Sequence, residues 1–367
     1  MLTELLVSGL ATLISVLFAG RLVAPLLVRV GLVAQDINKK KHPILPASGG
    51  LILLIGIFVG VLVFVASLNF FTNASVNKEF LLLGLLSIIA VSFVGFIDDL
   101  MGGKIRTSKA DASRMTRNYS LFNGGIRQWQ KPLLTLIAAL PLMVANFGTY
   151  IPLPFIGNVF VNPIFYILIF VPLVVVFLSN SFNMLEGLNG LSLQMALVVF
   201  VTLAIFTYHI QAYTAFSLAV MFAAGIIGYS YYGFYPAKLL PGDSLTYMLG
   251  GGVAAVLILG NTNIIFIPAG GIYGIQAILQ LRSVWTVGLI LAIPWIAEFI
   301  LKARVKFHAH SWGILKKDGR LSSPHGNKVY SLTHLFLRTG KFKEWQIVQF
   351  FTVIEIILAF FALLVAW

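Results

Sequence analysis

The residues able to do chemistry fall into short polar clusters set in an apolar chain. Asp98 and Asp99 close one apolar stretch, in Gly95-Phe96-Ile97-Asp98-Asp99. Two acids at a helix C-terminus oppose the macrodipole, so a solvated helix end explains them poorly. Such a pair suits divalent-cation or phosphate chemistry: one carboxylate ligates while the other takes a proton or orients a group. Asp243, in Pro241-Gly242-Asp243-Ser244, opens another stretch, where an N-cap would explain it equally well. Asn180 precedes a third cluster, Asn183-Met184-Leu185-Glu186-Gly187-Leu188-Asn189-Gly190. Its glycines let backbone approach a ligand closely, and a tight turn does not need three asparagines. Gln35-Asp36-Ile37-Asn38-Lys39 follows the first apolar stretch, and His308-Ala309-His310 follows a late one. On an extended segment both histidine rings would point to one side, as metal or phosphate binding requires, but no third His or Cys at zinc spacing supports zinc. Lys131 opens a further stretch, where a headgroup contact or a snorkelling side chain would each account for it.

The elements that position these residues follow from composition. Of 367 residues, 59% are hydrophobic and 10% are charged, and mean hydropathy is +0.95. Soluble domains carry about 25% charged residues, so soluble globular, disordered and fibrous classes are excluded. The expected fold is all-α: a polytopic membrane protein of about ten transmembrane helices. They are placed near 5–28, 50–68, 80–97, 132–147, 164–179, 190–208, 213–230, 245–260, 284–301 and 346–366. The eighth is rich in glycine, and an apolar run near 264–281 is broken by Pro268, Gly270, Gly271 and Gly274. No cleavable signal peptide is expected, and cysteine is absent, which removes thiolate metal sites. The chain reads as one membrane domain over 1–367, with long loops at about 99–131 and 302–345.

Net charge is +13, from 25 basic and 12 acidic residues. Among the basic residues only Arg21, Lys78 and Arg282 lie outside the loops after odd-numbered spans. Those loops are therefore expected in the cytoplasm, with both termini outside. All the polar clusters lie on that same side. Hard oxygen ligands favour magnesium over zinc, and magnesium pairs with substrate phosphates. An interfacial enzyme joining two phosphate-bearing substrates is the expectation. A transporter or flippase without chemistry is the rival, but it should place its acids near the bilayer midplane. Nucleic-acid binding rests on charge alone and has no recognition motif.

Taken together and in this order, the five clusters resemble those of the polyprenyl-phosphate N-acetylhexosamine-1-phosphate transferases. The likeness runs from about residue 30 to 325. Gln-Asp-x-Asn-Lys and Asn189 resemble the eukaryotic and archaeal branch, which uses UDP-GlcNAc and dolichyl phosphate and starts N-glycan assembly. Glu186 instead resembles an Asp of bacterial members, so a bacterial-type undecaprenyl-phosphate transferase is the alternative. The resemblance implies magnesium, or manganese in its place, on Asn183 and Asp243, with Asp98 and Asp99 as the acidic pair. Lys131 would hold the lipid phosphate, alongside Asn180 and Asn183. Gln35, Asp36, Ile37, Asn38, Gly187, Asn189, His308, Ala309 and His310 would contact the donor. Partners implied are a UDP-N-acetylhexosamine, a polyprenyl phosphate and membrane lipids, with no nucleic acid; a homodimer is also expected. The protein would sit in the cell membrane, or in the ER membrane of a eukaryote, with its site facing the cytoplasm. Three departures stand out: Ala47 replaces a carboxylate of eukaryotic members, only His308 and His310 of the triplet can carry charge, and the loop from Asp99 to Lys131 is much longer than in the eukaryotic enzymes. The loop between Asp99 and Lys131 is long and basic, and suits attraction to anionic headgroups at about 1 kcal/mol per residue.

Overall fold

The computed structural model describes residues 1–71, 76–102, 125–145, 150–153, 157–261, 283–307 and 309–367. The run at 264–281, Lys104, Arg106, Lys109, Arg114, Arg117, Arg282 and His308 lie outside the described residues.

In chain order the first elements are helix α1 (Leu2–Arg29), strands β1 (Val33–Gln35) and β2 (Ile44–Pro46), and helices α2 (Gly50–Phe70) and α3 (Lys78–Met101). Two short helices follow, α4 (Gln130–Ala138) and α5 (Leu140–Ala145), then a hairpin of β3 (Tyr150–Leu153) and β4 (Gly157–Phe160). Helix α6 (Pro163–Leu185) contains a π-helical segment at Tyr166–Phe170. Helices α7 (Leu191–His209), α8 (Tyr213–Gly233) and α9 (Gly242–Gly260) complete the centre of the bundle. The last elements are α10 (Val284–Leu291), α11 (Ile293–Ala303), a hairpin of β5 (Ile314–Leu315) and β6 (Leu321–Ser322), α12 (His334–Leu337) and α13 (Glu344–Ala366).

Among the described residues eight helices are long and apolar enough to cross a membrane, or nine if α10 and α11, bent by 49°, form one span. Their outer faces carry large apolar side chains in the open: Leu6 is 66% exposed, Phe18 62% and Phe360 70%. Such a belt is stable only against lipid, so the chain is an integral membrane protein. Within the expected span at 132–147 the described residues form two short helices, α4 and α5, over Gln130–Ala145, and residues 146–147 lie outside the described residues.

The glycine-rich α9, a weak span by composition, is the most enclosed of the eight membrane-length helices among the described residues. Gly250 lies against the Leu178 carbonyl and Gly252 against the Phe222 ring, at distances that leave no room for a Cβ. The missing side chains let α6 and α8 close around α9. Gly95 does the same near the mouth of the bundle, where a Cβ would sit 2.4 Å from the Asp243 carbonyl oxygen. The end of α3 and the start of α9 are thereby brought into backbone contact. In the β1–β2 hairpin, Gln35 pairs with Ile44, and the Asp36–Lys39 turn sits at its tip. Hydrogen bonds from Leu240 N to the Pro46 carbonyl and from Gly49 N to the Leu240 carbonyl fasten that hairpin to the loop before α9.

Candidate active site

Asp98 and Asp99 are adjacent in sequence, and one helical residue turns them about 100° apart. They do different things. The Asp99 carboxylate accepts from Asp243 N at 2.7 Å, Ser244 N at 3.1 Å and Ser48 Oγ at 2.6 Å. It therefore caps the N-terminus of α9, satisfying two donors that a helix start leaves orphaned. The N-cap reading of Asp243 is not realised, because Asp243 lies inside the first turn of α9 and receives its cap from Asp99.

Asp98 faces the other way. Its Oδ1 accepts from Ile126 N at 2.8 Å, and its Oδ2 pairs with the Lys131 ammonium. Lys131 Nζ also lies 3.4 Å from Asp243 Oδ2. One ammonium thus serves two carboxylates from two helices, at the first turn of α4. Thr246, one turn along α9 from Asp243, accepts from Asn183 Nδ2 at 3.0 Å. Asn183 is consequently drawn from the last turn of α6 to the side of the acid–lysine cluster.

Asn180 has a bracing position. Its Nδ2 donates to Val176 O at 2.8 Å and lies 3.3 Å from Thr135 Oγ1, while its Oδ1 accepts from Tyr247 OH at 3.2 Å. It links α4, α6 and α9, and a phosphate contact there would have to displace one of these bonds.

A second cluster is built around the β1–β2 turn. Asn189 Nδ2 donates to Asp36 Oδ2 at 2.8 Å, and Asn189 N donates to Glu344 Oε1 at 2.7 Å. Lys39 pairs with the other oxygen of Glu344 and lies 3.4 Å from Asp36. Asn38 donates to the Gly187 carbonyl at 2.8 Å and accepts from Gly313 N at 3.3 Å. Gly187 has no room for a side chain, since a Cβ would stand 2.8 Å from the Ser311 backbone. Gln35 and Ile37 are half-buried beside this cluster. Asp36, Asn38, Lys39, Lys40, Tyr235 and Glu344 line a cavity of about 410 Å³. Ala309 is buried, and His310 is exposed with its ring stacked on Trp312 at 4.9 Å.

Glu186 lies between the clusters. Its half-buried carboxyl is pushed up to about 8, first by burial and then by the Glu344 and Asp243 charges, against hydrogen bonds from the backbone of Ser192 and Gly187. The folded protein thus holds this proton more tightly than the unfolded chain, whose carboxyl has the ordinary value of 4.5. Its contribution to stability is complete below that value and is lost as pH rises through about 8. Between about pH 5 and 8.5 the thermal midpoint should therefore fall less for Glu186→Gln than for the unsubstituted protein. Equal falls would remove Glu186 from this role.

Residues that sequence reasoning missed are Ser48, Thr246, Glu298 and Glu344. Glu298 carried a usable signal, being an acid in an apolar stretch. Glu344 carried little, because its partners Lys39 and Asn189 are distant in sequence.

Comparison with known proteins bears on the same stretch. The model of glycosyl transferase family 4 matches residues 81–261, which hold Asp98, Asp99, Asn183, Glu186 and Asp243. A protein of Saccharolobus solfataricus is 30% identical over 335 residues, covering 90% of this chain and 87% of the relative. The chain belongs to glycosyl transferase family 4. That relative is provisionally named a UDP-N-acetylglucosamine–dolichyl-phosphate N-acetylglucosaminephosphotransferase. A protein of Sulfolobus acidocaldarius with the same provisional name is 30% identical over 365 residues, covering 98% of this chain and 96% of its own. A phospho-N-acetylmuramoyl-pentapeptide-transferase of Clostridium botulinum is 29% identical over 252 residues, covering 66% of this chain and 69% of its own. The two archaeal family members therefore match across nearly the whole chain, and the bacterial member across about two thirds of it.

Proposed function

We propose that the protein transfers N-acetylhexosamine-1-phosphate, with N-acetylglucosamine as the sugar, from its UDP conjugate to a polyprenyl (dolichyl) phosphate, releasing UMP. The observation that carries this reading is Lys131, paired with Asp98 and 3.4 Å from Asp243 at the mouth of a membrane bundle. The names of the archaeal relatives support the donor and the acceptor. The basic loops support a cytoplasmic position for this mouth, where two anionic substrates would be drawn in.

The chemistry is an in-line phosphoryl transfer. A lipid-phosphate oxygen attacks the β-phosphorus of the UDP-sugar. A phosphorus–oxygen bond forms there as the bond to the oxygen shared with the α-phosphate breaks, and that oxygen leaves with its electron pair on UMP. Lys131 receives the lipid phosphate and reduces the repulsion between the two anions. Asp98 orients the ammonium, while Asp99 is engaged by three donors. A phosphate monoester has its second ionisation near pH 6, so attack at neutral pH needs little help from a base. Asp99 keeps α9 capped and Asp243 in place. Asp36, Asn38, Gly187 and Asn189 shape the donor side, with Ala309 and His310 at its edge.

Asn183 and Asp243 fit magnesium, or manganese in its place. Both offer hard oxygens, and two protein ligands leave positions for phosphate oxygens, as magnesium prefers. Among the described residues no group of three or more His, Asp or Glu forms an all-protein cage. When bound, the ion supplies charge neutralisation of the donor pyrophosphate. Purified protein given UDP-N-acetylglucosamine, dolichyl phosphate and Mg²⁺ should release UMP, and EDTA should stop it. Absence of UMP with every UDP-N-acetylhexosamine and polyprenyl phosphate tried would end this reading.

A further inference from the structure

Behind the His310 turn lies a buried polar network with no place in the chemistry above. Glu298, on α11, is fully buried. Its Oε2 accepts from Leu332 N at 2.7 Å and Ser331 Oγ at 3.0 Å. Its Oε1 lies 3.3 Å from Lys302 Nζ and 3.2 Å from Ser311 Oγ. Lys302 in turn donates to the Met184 carbonyl, the residue after Asn183, and Ser311 Oγ lies 2.9 Å from that same carbonyl. The segment after Tyr330 grips the other side of the turn. Thr333 Oγ1 donates to the Ser311 carbonyl at 2.7 Å, and His334 Nε2 lies 2.9 Å from the His310 carbonyl.

The tautomer of His334 follows from its neighbours. Nδ1 accepts from Tyr330 N at 3.2 Å, so the ring hydrogen sits on Nε2 and is donated to His310. Burial holds this imidazole down at about 4, which keeps it neutral at working pH.

A buried carboxylate that accepts from Leu332 N, Ser331 Oγ and Lys302 Nζ, and shares the single Ser311 hydroxyl hydrogen with the Met184 carbonyl, is costly to place and is stable only when its network is complete. This one connects the last turn of α6 to the turn bearing His310, with Met184 and Ser311 127 residues apart. We propose that Glu298 is a positioning residue: through Lys302 and Ser311 it sets the end of α6 that carries Asn183 against the His310–Trp312 turn, so that donor binding and the acid–lysine cluster stay in register. The proposal rests on the transfer reading. It concerns how the two halves of the site are held, since Glu298 touches neither substrate.

Glu298→Gln keeps the shape and leaves Lys302 without its counter-charge. The expected result is a rise of about tenfold in KM for the UDP-sugar, with KM for the polyprenyl phosphate unchanged within about twofold. Adding Lys302→Met to Glu298→Gln removes the orphaned cation, and should raise the thermal midpoint without restoring donor KM. Thr333→Val removes one hydroxyl and keeps the volume, and should raise donor KM by about threefold even if Glu298→Gln does not fold. A purely structural role predicts lowered thermal midpoints with both KM values unchanged, and that outcome in any folded variant overturns the proposal. An inactive unsubstituted protein would instead overturn the transfer reading, so the two failures are distinguishable.

Discussion

Replacing Asp243 by Asn should lower turnover by about 10²- to 10³-fold in a protein that still folds. The substitution keeps volume and leaves the cap intact, because the bonds to Asp99 come from backbone N–H groups of Asp243 and Ser244. Loss of one negative charge from the first turn of α9 costs about 0.3–1 kcal/mol, too little to unfold a membrane bundle. The charge near Lys131 and the oxygen offered beside Asn183 are weakened together. UMP release measures turnover, and the thermal midpoint checks folding. Turnover unchanged in a folded variant would remove Asp243 from the site.

The second large effect is expected at Lys131. Lys131→Met keeps most of the side-chain stem and deletes the ammonium that serves Asp98 and Asp243. Two carboxylates then face the incoming phosphate without the ammonium between them, and like charges in a partly dehydrated site repel strongly. Transfer efficiency should fall by about 10²- to 10⁴-fold, with KM for the polyprenyl phosphate rising more than KM for the UDP-sugar. Lys131→Arg restores the charge with a different reach, and should recover part of the loss. Equal losses in the two KM values would place Lys131 elsewhere in the reaction.

How far the sequence could see is clear from particular residues. The polar clusters stood out because carboxylates and amides are rare in an apolar chain and costly near lipid. Asp98 and Asp99 were legible as a pair but not as a cap and an ion-pair partner. That division depends on which neighbour each meets, and Lys131 and Asp243 arrive from other helices. Asp243 looked like an N-cap because local sequence cannot show a cap supplied by Asp99, a residue 144 positions away. Glu344 was missed for the same reason, since Lys39 and Asn189 meet it only once α13 has packed. Glu298 was visible as an acid in an apolar stretch with Lys302 one turn on, but its contacts to Ser331 and Leu332 arise only in the fold. Hydropathy found the apolar stretches well, including the glycine-rich α9. It did not find the division of 130–145 into two short helices, because composition shows that a segment is apolar and not where it breaks.

The central claim is transfer of a sugar together with its phosphate, and the mass of the lipid product tests it most directly. Dolichyl phosphate incubated with UDP-N-acetylglucosamine and Mg²⁺ should gain the mass of one N-acetylhexosamine plus one phosphate, with one UMP released per product. A lipid that gains the sugar alone, with release of UDP, would contradict the account.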